Sequence, residues 1–148
     1  MECGACHDPL NPSLLPVSSW AGLMTSLGEH FGEDASLDGP TTRHLAAWLV
    51  DNAAETFDTE SANRFRVVAP DEPYRASSTP YWVHKHARIP PEVFARRSVQ
   101  SKVNCHACHR DAERGASTTK SSRSLRSTGH ERLAHDDGFV CRPQSAGR

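Results

Sequence analysis

Two short cysteine motifs carry the clearest chemical signal in this sequence. Each is a pair of cysteines separated by two residues, with a histidine directly after the second cysteine: Cys3, Cys6 and His7, and again Cys105, Cys108 and His109. Both runs match C-x-x-C-H, the pattern by which c-type haem is attached. The two thiols can form thioethers with the two vinyl groups of one haem, and the histidine that follows can bind the iron. The motifs predict two covalent haems, with His7 and His109 as proximal ligands.

Zinc is the main alternative, because two C-x-x-C pairs can supply four thiolates to a closed structural site. Modules of that kind separate their pairs by about 15 to 20 residues, whereas 98 residues lie between Cys6 and Cys105. A thioredoxin-like redox pair would follow a strand in a βαβ unit, and neither pair follows a strand pattern. The spacing favours haem and leaves a zinc-stabilised binding module as the alternative.

Each haem iron has a second axial position, and the residue that fills it decides between electron transfer and ligand chemistry. Seven histidines remain beyond the proximal pair, and Met24 is the only methionine besides the first residue. His30 and His86 lie on predicted apolar helix faces beside aromatic residues, where an imidazole without a partner is costly. We predict bis-histidine ligation with His30 and His86 as distal ligands. A core histidine bonded to the backbone is the alternative role for each, and His44 and His84 are weaker candidates.

The elements that must position these side chains are helices. Apolar residues recur in steps of three and four over the ranges 20–31, 41–53, 80–88 and 92–102. Thr79 and Pro80 are typical of a cap and a first helical residue, Trp48 is expected on a buried stripe, and residues 55–78 are expected to form a long connection. No segment alternates as a strand does. The prediction is an all-α, loop-rich cytochrome c-type domain over residues 1–115, wrapped around two haems, with a low-complexity, disordered tail over residues 116–148.

The distribution of charge along the sequence limits which kinds of molecule this protein can bind. Residues 1–109 carry nine Lys and Arg against thirteen Asp and Glu, a net charge of −4, and the remaining residues carry +3. An acidic body argues against nucleic acid as its partner, since phosphate binding needs a positive surface. The sequence shows neither an apolar run long enough to span a membrane nor a signal peptide. Haem is attached to c-type cytochromes outside the bacterial membrane, so we expect a periplasmic protein whose native start differs from Met1.

These motifs resemble those of the bacterial dihaem cytochrome c family, which are small exported electron carriers with one haem motif near each end. The resemblance covers about residues 2–115 and rests on CGACH at 3–7, HFGEDASLD at 30–38, TPYWVHKH at 79–86 and NCHACHRDAERG at 104–115. It implies His7 and His109 as proximal ligands, with His30 and His86 as distal ones.

The resemblance also implies a function. A chain of this kind would pass single electrons between a membrane b-type cytochrome and a small oxygen-binding monohaem cytochrome c, as a carrier rather than an enzyme. A small haem enzyme with an open axial site is the alternative, because such an enzyme also needs only haem and a displaceable ligand.

Overall fold

The chain folds into short helices joined by loops. The computed structural model describes residues 7–109 and Ala112, so Cys3, Cys6 and the whole predicted tail lie outside the described residues. The described part contains five α-helices and no β-strand, with α1 at Val17–Thr25, α2 at Gly39–Asp51, α3 at Glu60–Phe65, α4 at Pro80–His86 and α5 at Pro91–Phe94. The predicted all-α, loop-rich class is confirmed.

The core lies where α1 packs on α2. Its buried members come from α1, α2, α3 and the segments before, between and after them: Leu15, Trp20, Leu23, Met24, Leu49, Ala53, Phe65 and Ala76. The indole Nε1 of Trp20 donates a hydrogen bond of 2.8 Å to the buried carbonyl of Pro12, so this polar group is satisfied inside the core. Met24 is only 6% exposed among these apolar residues and belongs to the packing.

The first helix is shorter than its periodicity predicts. It ends at Thr25, where the Thr25 hydroxyl donates to the carbonyl of Gly22 at 2.8 Å and the Ser26 hydroxyl to the same carbonyl at 3.1 Å. Hydroxyls that bond the backbone in this way compete with the helical ladder. A 3-10 turn at Leu27–Glu29 continues the chain, so the prediction that His30 lies on a helix face is wrong.

The second helix begins earlier than predicted, and the side of the helix that faces the core is not the predicted one. Asp38 is its N-cap, with its carboxylate accepting from the backbone N–H of Thr41 at 2.9 Å, so the helix starts ahead of the predicted range 41–53. Leu49 is buried, but the predicted core residue Trp48 is 50% exposed. The expectation for Trp48 is therefore wrong.

The connection between residues 55 and 78 contains α3, which is too short for its periodicity to be recognised. The side chain of Arg66 connects the end of α3 to the preceding loop by donating hydrogen bonds to the carbonyls of Ala54 and Phe57, at 3.3 and 3.1 Å. Helix α4 agrees with the prediction: Thr79 caps it and Pro80 is its first residue. Helix α5 occupies only the start of the predicted range 92–102.

None of the helices in the described part of the chain is long and apolar enough to cross a lipid bilayer.

Candidate haem-binding sites

The structure brings His7 and His30 together. Their ring centroids lie 6.0 Å apart, with an angle of 20° between the ring planes. The Nδ1 atom of His7 is 2.8 Å from the backbone carbonyl of Asp8. Because a carbonyl can only accept a hydrogen bond, the ring proton of a neutral His7 lies on Nδ1, and its Nε2 lone pair is available to a metal.

A tight turn holds His30 in place. The backbone N–H of His30 donates to the carbonyl of Glu33 at 2.8 Å, and the N–H of Glu33 donates back at 3.1 Å. Both central residues have positive φ, 55° at Phe31 and 97° at Gly32, as a type I′ turn requires. Gly32 adopts this conformation without strain, which is why the chain can reverse directly after the histidine. The ring of Phe31 then packs edge-on against His30, with centroids 4.9 Å apart.

His86 and His109 form a second pair with the same separation. Their centroids are again 6.0 Å apart, but their planes are nearly perpendicular, at 79°. His86 is the last residue of α4, where its ring stacks on Trp82 at 4.1 Å and 14° and its Nδ1 is 2.8 Å from the Trp82 carbonyl. Phe94 of α5 lies 6.5 Å from the same ring. The expectation that His86 shares a face of its helix with Trp82 is confirmed.

The second cysteine motif folds as a 3-10 turn over Cys105–Ala107. The N–H groups of Cys108 and His109 both donate to the Cys105 carbonyl, at 3.2 and 2.8 Å. Side chains at positions i and i+3 of such a turn lie on the same side, so the two cysteines face one direction.

The separation within each histidine pair fits an iron atom between two imidazoles. A bond from imidazole nitrogen to a transition metal is about 2.0 Å and the ring centroid lies about 1.1 Å behind that nitrogen, so two rings on opposite sides of one metal have centroids about 6.2 Å apart. Both pairs measure 6.0 Å. The four side chains can therefore hold two haem irons.

The surroundings of the distal residues favour the neutral imidazole, which is the form that binds a metal. Burial lowers the pKa of His30, and the nearby His7 lowers it further. Burial also lowers the pKa of His86; the hydrogen bond to Trp82 opposes this effect, and the nearby His109 adds to the lowering. Both shifts favour the uncharged form of these rings.

Comparison with known proteins decides the family. A family profile described as dihaem cytochrome c matches residues 1–117. The chain belongs to the dihaem cytochrome c family. It therefore carries two c-type haems with iron, and it is a cytochrome of the electron-transfer class. The expected choice of haem over zinc is confirmed.

Solved structures of dihaem cytochromes agree in both sequence and fold. A diheme cytochrome c from Rhodobacter sphaeroides is 43% identical, with a TM-score of 0.63, and the match covers 77% of this chain and 90% of that one. A second structure from this organism is 39% identical, with a TM-score of 0.60 and coverage of 77% and 89%. A diheme cytochrome type c from Shewanella baltica is 30% identical, with a TM-score of 0.61 and coverage of 78% and 80%. No curated protein matches significantly.

The other histidines in the described part of this dihaem cytochrome lie elsewhere. His44 and His84 are exposed on α2 and α4. His106, which lies inside the second motif, approaches the first motif, with its Nδ1 3.0 Å from a carboxylate oxygen of Asp8. That contact joins two segments 98 positions apart and holds the two haem-binding regions next to each other.

Sequence reasoning also missed a cation beside the first site. The guanidinium carbon of Arg75 lies 4.4 Å from the centroid of the Phe31 ring, on which His30 packs. A nitrogen of Arg75 is also 3.0 Å from a carboxylate oxygen of Glu72. No local pattern in the sequence links Arg75 to Phe31, because the contact spans 44 positions of chain.

Proposed function

We propose that this chain is an electron carrier in which each iron is held between two imidazoles, the first by His7 and His30 and the second by His109 and His86. The thioethers would form at Cys3 and Cys6 for the first haem and at Cys105 and Cys108 for the second. The observation that carries this proposal is the common separation of 6.0 Å in both pairs.

Haem supplies the one-electron chemistry when it is bound, and the side chains of this protein hold and tune it. If His7 with His30 and His109 with His86 held the two irons, neither substrate nor oxygen would find an open site on them. This closure supports a carrier over a haem enzyme. Hydrogen bonds from Nδ1 of His7 and His86 to backbone carbonyls fix the orientation of the rings and make them stronger ligands. Paired imidazoles favour low-spin iron with comparatively low reduction potentials.

We propose a periplasmic location, because c-type haem is attached outside the bacterial membrane. The proposed donor is a membrane b-type cytochrome and the proposed acceptor is a small oxygen-binding monohaem cytochrome c. These partners are the ones that the resemblance to the dihaem cytochrome c family implies. The carrier would take one electron at a time and release it without further chemistry.

Carbon monoxide tests the carrier against the enzyme. The protein is expressed with the machinery for c-type haem maturation, its covalent haems are counted from an alkaline pyridine spectrum, and the reduced protein is mixed with carbon monoxide. We expect two haems per chain and no rapid change of the Soret band. Rapid binding of carbon monoxide by the unmodified protein would support a haem enzyme with an open axial site instead.

A further inference from the structure

We propose that the segment carrying His86 and His109 is the docking surface for an acidic redox protein, while the segment carrying His7 and His30 repels such a partner. The proposal rests on the proposed function, since it assumes that electrons leave or enter at the second haem site. We call residues 80–109 the basic segment and residues 7–79 the acidic segment.

The two segments carry opposite net charge. The basic segment holds five cationic side chains and one carboxylate, with a net charge of +4: Lys85, Arg88, Arg96, Arg97 and Lys102 against Glu92. The acidic segment holds four Arg against eleven Asp and Glu, with a net charge of −7. Two propionates on each haem subtract the same charge from both segments, so the difference between the segments persists when the haems are bound.

Two cations of the basic segment lie beside the second histidine pair. The Lys102 ammonium lies 5.8 Å from the centroid of the Trp82 ring, which stacks on His86. Lys85 directly precedes His86, and its ammonium lies 5.4 Å from the Tyr81 ring. Both lysines are exposed. A partner that approaches closely enough to exchange electrons with the haem at this pair must therefore pass these charges.

Carboxylates outnumber cations around the first pair, where the guanidinium of Arg75 packs on the Phe31 ring. The loop around His30 carries four exposed acidic side chains: Glu29, Glu33, Asp34 and Asp38. Asp8 directly follows His7. A charge distribution of this kind orients a charged partner during its approach and raises the association rate at low salt. An acidic protein is accordingly directed to the second haem site and away from the first.

An anionic membrane is a different occupant for a basic surface, and the structure favours a protein. Polybasic segments that bind lipid headgroups form compact runs of charge, whereas these five cations are spread over 18 positions and interleaved with the aromatic residues that enclose His86. Cations near a proposed haem ligand would hold an acidic redox partner close to the haem, as electron exchange requires.

The test uses the full-length dihaem protein with reduced flavodoxin as an acidic probe. One electron passes from the flavin hydroquinone to a ferric haem, and stopped-flow absorbance gives the second-order rate constant. The variant Lys85→Gln/Lys102→Gln removes two cations from the basic segment. Its matched control, Arg43→Gln/Arg64→Gln, removes two exposed cations from the acidic segment and changes the net charge by the same amount.

We expect the lysine variant to react roughly twentyfold more slowly at about 0.01 M ionic strength. Three charges on a partner about 10 Å from one cation change a rate about eightfold in water without salt, screening at this ionic strength reduces the factor to about 4.5, and the variant removes two cations. The arginine control should slow by less than about twofold, and the difference should vanish at about 1 M salt. Equal slowing of both variants would overturn the docking surface, since only net charge would then matter.

Vesicles of equal parts phosphatidylcholine and phosphatidylglycerol provide the second arm. Cosedimentation that is lost in the lysine variant, together with an unchanged flavodoxin rate, would overturn the proposal in favour of a membrane. The haem count separates this proposal from the proposed function. Two covalent haems with no charge effect would reject the docking surface alone, whereas fewer than two haems would reject the electron-carrier assignment.

Discussion

Replacing His86 by alanine should open one of the two haem irons. The imidazole of His86 is held by its stack on Trp82 at 4.1 Å and by the hydrogen bond of its Nδ1 to the Trp82 carbonyl. Alanine removes the only nitrogen that this position offers, and the space then borders the apolar ring of Trp82, which has no lone pair to donate. The iron that His109 is proposed to hold would therefore lose its second protein ligand.

The size of the effect follows from the number of sites. His86 faces one of two pairs, so half of the iron should become high-spin and half should stay low-spin. The reduced variant should bind one carbon monoxide per chain, whereas the unmodified protein binds none. His30→Ala should open the other iron to the same extent, and the double variant should bind two.

Optical titration with carbon monoxide and the pyridine haem count are the assays. Every variant should keep two covalent haems, because attachment depends on the cysteines and not on the distal histidines. His84→Ala is the matched control, since His84 lies on the same helix two positions earlier and is exposed. His44→Ala serves as the control for the first site. Both controls should remain fully low-spin.

The opposite pattern would refute the reasoning. If His84→Ala or His44→Ala opened an iron while His86→Ala and His30→Ala did not, the paired rings would not be the ligands. Membership of the dihaem family would be unaffected, because it does not depend on the distal residues.

Two predictions concern the scaffold around the sites. Thr79 is fully buried, caps α4 through the N–H of Trp82 and donates to the Ala76 carbonyl at 2.8 Å. Thr79→Ala should therefore lower the free energy of unfolding by about 1 to 2 kcal/mol in urea titrations. A change of less than about 0.3 kcal/mol would show that the cap is not needed. Trp20→Phe removes the donor to the buried Pro12 carbonyl and leaves a small cavity. It should cost about 2 kcal/mol by the same measurement, and an unchanged midpoint would contradict the assigned hydrogen bond.

The sequence predicts the second site better than the first because the second is built from local signals. Thr79 and Pro80 mark the start of α4, and the spacing of four between Trp82 and His86 places the two rings on one face. Both signals lie within eight residues. The structure adds only the approach of His109, which depends on the path of the chain after α5.

The backbone at the first site differs from the predicted helix because the helical spacing of apolar residues continues through three different backbone conformations. The steps from Trp20 to Phe31 fit a helix, yet helix, 3-10 turn and type I′ turn follow one another there. The hydroxyls of Thr25 and Ser26 end the helix, and this competition is invisible to a count of apolar steps. His30 was still identified correctly as a residue beside an aromatic ring, because Phe31 is its neighbour in the chain as well as in space.

The features that the sequence does not predict depend on tertiary packing. Trp48 fits the same helical stripe as Leu49, and only the contact of α2 with α1 decides which of them is buried. The sequence also proposed four histidine ligands without dividing them into pairs. The two pairs come from the fold, in which His7 meets His30 and His86 meets His109.

Electron paramagnetic resonance of the fully oxidised protein tests the central claim most directly, because it counts irons and reports their axial ligands together. When iron lies between two imidazoles, the angle between the ring planes sets the anisotropy of the low-spin signal. The 20° of His7 and His30 predicts a rhombic signal, and the 79° of His86 and His109 predicts one with a single large g value. We predict these two low-spin signals with equal integrals that sum to two irons per chain. A high-spin ferric signal that accounts for one or both irons would contradict the assignment of two imidazoles to each haem.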